Sequence, residues 1–252
     1  NSSLKRNSRF KKIKDEIINS IAIPPKIECD LEIFFGEACS NKSTFKVSLY
    51  KKNIDSSEVK LSDQKEICIE LKNPITLSEL FIIDELDSNV YWLNIEPLSG
   101  LHDHNYLNIF YKSKKNKIFD NVHSHSFMPI SKSIRNGRGL KFAPFKYSLK
   151  KDFYPVLAVW SGRFKSLSIR LRIFSAQNSK FEKVYNLNLP KKEIVYFELQ
   201  NYIDNDLAQN NSNDLFVAQI ESDEENLQAS IFNIKLKDKE IKSISVCHLT
   251  GG

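Results

Sequence analysis

The chain resembles itself. Shifted by 125 positions without a gap, Val90-Tyr91-Trp92-Leu93-Asn94-Ile95-Glu96 lies on Leu215-Phe216-Val217-Ala218-Gln219-Ile220-Glu221, Asn108-Ile109 on Asn233-Ile234, Lys112 on Lys237 and His123 on His248. A shift of 128 lays Ile67-Cys68-Ile69-Glu70-Leu71 on Val195-Tyr196-Phe197-Glu198-Leu199. Self-similarity at a fixed spacing limits the chain to architectures in which one unit is built twice. The halves expected are residues 27–130 and 153–252, with a basic, Gly- and aromatic-containing segment over 131–152 joining them.

Within each half the apolar residues recur every second position. Phe45-Val47-Leu49, Ile67-Ile69-Leu71, Tyr91-Leu93-Ile95, Tyr106 to Phe110, Val156 to Trp160, Ile169-Leu171-Ile173, Ile194 to Leu199, Phe216 to Ile220 and Ile231 to Leu236 read as short strands. Between them no helical stretch is long enough for a crossover, so neighbouring strands must run antiparallel. The fold class expected is all-β: a tandem pair of similar antiparallel β-sandwich-like units. Ahead of them, Phe10, Ile13, Ile17 and Ile21 fall at helical spacing, which predicts a basic amphipathic helix over 10–21, stopped by Pro24-Pro25 within an N-terminal segment of residues 1–26. Residues 4–21 could also touch an anionic membrane surface, although docking on the protein body is favoured. No apolar run approaches the ~20 residues needed to span a bilayer.

Charge is unevenly spread. Residues 1–14 hold six Lys or Arg and no acid, and residues 112–151 hold eleven against the single acid Asp120. The net charge of +6 therefore describes two basic segments on an acidic body. Only 7 glycines occur, too few for folds whose nucleotide sites are built on glycine turns, and no GxSxG, Walker or CxxC pattern is present. The four cysteines, Cys29, Cys39, Cys68 and Cys247, are read as reduced core residues rather than a disulfide framework, which favours a cytoplasmic location; a secreted origin stays open because the chain does not begin with Met.

Four of the five histidines lie in His102-Asp103-His104 and His123-Ser124-His125. Residues two apart on a strand share a face. A hairpin closing at Ser113–Asn116 would therefore gather His104, His123 and His125, a set suited to zinc or iron. The shell lacks a further ligand, because alternation turns Asp103 to the opposite face from His104, so a metal-dependent enzyme is the alternative reading and no cofactor is the expected one.

The primary expectation is a non-catalytic binding or assembly module for a carbohydrate or acidic polymer. Its contacts are expected from Arg135, Arg138 and Lys141 in the joining segment, with Trp92 and Tyr106 as stacking platforms, and Tyr111 and Trp160 as further aromatics. An acidic glycan is the partner class these cations suggest. Nucleic-acid binding is a second alternative: it accounts for the basic segments but not for the acidic body.

Overall fold

The computed structural model describes residues 19–35, 43–69, 73–83, 88–99, 107–113, 118–123, 139–149, 152–160, 166–177, 182–191, 193–209, 214–222, 227–237, 240–248 and 250–251. About three quarters of them are strands, in four antiparallel sheets, as the alternation requires. The chain divides into two compact units, residues 1–114 with 123–131 and residues 115–122 with 132–252.

In chain order the first eight strands are β1 (Asn19–Ile23), β2 (Cys29–Phe35), β3 (Ser43–Asn53), β4 (Val59–Ile69), β5 (Ile75–Thr76), β6 (Asn89–Ser99), β7 (Leu107–Ser113) and β8 (Ile118–His123), with a four-residue helix, Leu77–Leu80, after β5. One sheet has the order β1-β6-β3-β4 and the other β5-β2-β7-β8. In the first sheet, Ile21 lies opposite Leu93 and Leu93 opposite Leu49, and all three are buried. Leu31, Ile33, Leu107 and Ile109 supply the buried face of the other. The Tyr111 hydroxyl of β7 ties the two together by donating to the Ala22 carbonyl at 2.8 Å.

The strands of the second half are β9 (Gly139–Lys146), β10 (Phe153–Trp160), β11 (Leu167–Ser175), β12 (Glu182–Leu189), β13 (Ile194–Glu198), β14 (Leu215–Ser222), β15 (Gln228–Lys237), β16 (Glu240–His248) and β17 (Thr250–Gly251). They form the sheets β12-β11-β14-β9-β17 and β13-β10-β15-β16. Apart from the two-residue β17, these orders repeat those of the first half strand for strand. One continuous core joins both sheets of this unit, drawing on Ala143 and Phe145 of β9, Ile169, Leu171 and Ile173 of β11, Phe216, Ala218 and Ile220 of β14, Leu157 and Val159 of β10, and Ala229 and Ile231 of β15. The run from Val156 to Trp160 is apolar without alternation because both faces of β10 are buried.

Three expectations need correcting. Asn19–Ile21, the end of the predicted helix, belongs to β1, where Ile21 and Ile23 are buried two apart; residues 10–18 lie outside the described residues. The segment read as joining the halves contains β9, which pairs with β14 over its full length. Of the cysteines, Cys29 is buried, but Cys247 is only half-buried and Cys68, on β4, is exposed; Cys39 is outside the described residues.

Candidate functional site

Alternation decides which side chains of the five-stranded sheet reach solvent. The odd-numbered residues of β9, β11 and β12 and the even-numbered residues of β14 turn to the core. Their neighbours must face outward. Cross-strand register arranges these outward residues in rows. Leu140, Glu221, Arg170 and Asn186 form one, and Phe142, Gln219, Arg172 and Val184 the next. Ser168 and Asn188 pair beside the first row.

At the β12 side the rows border a hollow of about 400 Å³ whose polar lining comes from Ser168, Arg170, Asn186, Asn188, Glu221 and Ser222. These polar groups are partly tied to one another. Arg170 Nη1 lies 3.5 Å from Glu221 Oε2, and Ser168 Oγ donates to Asn188 Oδ1 at 2.9 Å. One row away, Arg172 pairs with Glu182 and its guanidinium lies 6.0 Å from the Phe174 ring centroid. The outward side chains at the hollow thus combine a guanidinium, a carboxylate, two amides and a hydroxyl on a rigid sheet. This arrangement can orient a ligand by hydrogen bonds.

The corresponding face of the first half differs. Glu96, which aligns with Glu221, lies opposite Lys46 with Nζ to Oε2 at 2.6 Å, so an ion pair occupies the same place in both sheets. The next row there is Ser20, Asn94, Ser48 and Gln64. Ser20 Oγ donates to Asn94 Oδ1 at 2.7 Å and Ser48 Oγ to Gln64 Oε1 at 3.3 Å. Ser48 and Asn94 are buried, so these polar groups are spent on each other.

Of the residues expected from sequence to bind, Trp92 is wholly buried at 0% exposure and stacks on Tyr50 with centroids 5.7 Å apart and planes at 10°; it offers no ring face to a ligand. Tyr111 and Trp160 are likewise core. Lys141 is half-buried on the core-facing side of β9, opposite Ile220, and burial lowers the pKa of its ammonium. It is therefore on the other face of the sheet from the outward rows. Tyr106, Arg135, Arg138, His104 and His125 lie outside the described residues, as does the side chain of His123, which ends β8. Among the described residues no group of three or more His, Cys, Asp or Glu is placed to hold a metal.

Ser168, Arg170, Asn186 and Asn188 escaped the sequence reading. The signal was present in Asn186-Leu187-Asn188 and Arg170-Leu171-Arg172, pairs two apart that share a face by the same rule applied to the histidines. No protein-family model matches the chain, and no curated protein matches it.

Proposed function

We propose that the chain is a non-catalytic binding or assembly module built from two like antiparallel β-sandwich units by tandem duplication, and that its ligand is a carbohydrate or related polymer held on the outer face of β9, β11, β12 and β14. The duplication is supported by the shared strand order, by the ion pairs Lys46–Glu96 and Arg170–Glu221 at aligned positions, and by the 125-residue self-alignment. In this reading each unit begins one strand earlier than the sequence suggested, at β1 and at β9.

The observation that carries the binding reading is the polar hollow on β11, β12 and β14, whose donors and acceptors stand on regular strands rather than on loops. The test is calorimetric titration of the full chain with a glycan panel and with duplex DNA. Saturable binding to a glycan is expected, lost in the double variant Arg170→Ala, Asn186→Ala. Preference for DNA, or glycan binding that survives the double variant, would contradict it.

A further inference from the structure

We infer that the ligand of this face is an uncharged oligosaccharide laid across the strands from β9 to β12, an inference that rests on the binding reading above and departs from the acidic partner suggested by composition. At the hollow and in the row beside it the charges come in pairs, Arg170 with Glu221 and Arg172 with Glu182, while the other outward cation, Lys146 at the far end of β9, sits 5.9 Å from the Phe153 ring centroid. A polyanion gains affinity by displacing counterions around unopposed cations. Here it would meet two carboxylates beside the two guanidinium groups and would have to compete for cations already engaged. A sugar hydroxyl, in contrast, both donates and accepts. Vicinal hydroxyls can accept two N–H donors from Arg170 while one of them donates to Glu221, and the side-chain amides of Asn186 and Asn188 offer the same dual chemistry.

Two further features set the ligand's length and direction. Phe142 is 44% exposed on this same face, in the row of Gln219 and Arg172, and its ring can lie against the C–H face of a pyranose. From β9 to β12 is three strand spacings, about 14 Å. A site reaching from Phe142 to Asn186 therefore suits several linked sugars better than one.

The experiment is titration of the full chain, at low and at physiological salt, with neutral gluco-, manno- and xylo-oligosaccharides of increasing length and with oligogalacturonate and heparin fragments. A neutral oligosaccharide is expected to bind with a Kd that changes less than about twofold with salt. Affinity should rise with chain length, and Phe142→Ala, or Asn186→Ala with Asn188→Ala, should each weaken binding about tenfold, or roughly 1.4 kcal/mol. These side chains point outward, and circular dichroism with a thermal midpoint checks that each variant is folded. Tighter binding to an acidic fragment, weakening as salt rises, would overturn the neutral-ligand inference while leaving the binding reading in place. No saturable binding to either set would overturn both.

Discussion

The Asp30 carboxylate, 8% exposed, accepts from the Leu31 amide at 2.9 Å, the Ser78 amide at 3.1 Å and the Ser78 hydroxyl at 2.7 Å. It thereby fastens the short helix Leu77–Leu80 to β2, while Thr76 and Glu79 close a capping box at the same helix start. The Glu79 carboxyl is held below its ordinary pKa by those bonds to Thr76. Asp30→Ala removes the acceptor of the buried Leu31 amide and of both Ser78 donors and should destabilise the fold by about 2 kcal/mol, against about 1 kcal/mol for Ser78→Ala. Chemical denaturation monitored by tryptophan fluorescence reads both; equal effects of the two substitutions would refute this role for the carboxylate. Single residues are also where sequence reasoning was weakest. Trp92 on an alternating strand reads more often as core than as platform, and its surroundings make it core. Asn186 and Asn188 carry no charge and form no familiar motif, so nothing but their shared parity marked them.

At the scale of elements, β4 shows how an edge strand is kept from pairing with other chains. It ends its sheet and is exposed along most of its length. Asp63 and Lys65 lie opposite Leu49 and Val47, on the side where those residues are buried, and Lys65 Nζ sits 5.6 Å from the Phe81 ring centroid. Charges turned inward on an edge strand oppose strand addition. The double variant Asp63→Val, Lys65→Val should therefore self-associate, seen as a concentration-dependent rise in mass by light scattering. Glu66→Val, opposite Lys46 on the outer face, should stay at the parent's mass. Strands whose apolar residues alternate cleanly, such as β6, β11 and β14, could be read directly from the sequence. Several of the strands left out have a pattern that is diluted or doubled, although β2, with Leu31, Ile33 and Phe35 alternating, was also missed. In β12 the core-facing positions include Lys183 and Tyr185, in β16 serines interrupt the apolar residues, and before β1 the isoleucines at 13, 17 and 21 fit a helix as well as Ile21 and Ile23 fit a strand. In β9, Lys141 and Pro144 obscure the alternation of Ala143 and Phe145.

For the whole molecule, the proposal is one architecture used twice with different outer faces. Identical strand order places Lys46–Glu96 and Arg170–Glu221 alike, but the neighbouring row of the first half has Ser48 and Asn94 buried and internally bonded, whereas that of the second faces solvent. The self-similarity on which the proposed duplication rests is visible in the sequence because its strongest segments, in β6 and β14, align without a gap. The face that distinguishes the halves could not, since exposure depends on what packs over each sheet. The most direct test of this account is backbone-amide NMR of the full chain during titration with a neutral oligosaccharide. Shift changes concentrated at Ser168, Arg170, Asn186, Asn188 and Gln219, with Lys46, Ser48, Gln64 and Asn94 unmoved, are the result predicted; changes at the first-half positions, or at Arg135 and Arg138 with the second-half sheet silent, would contradict it.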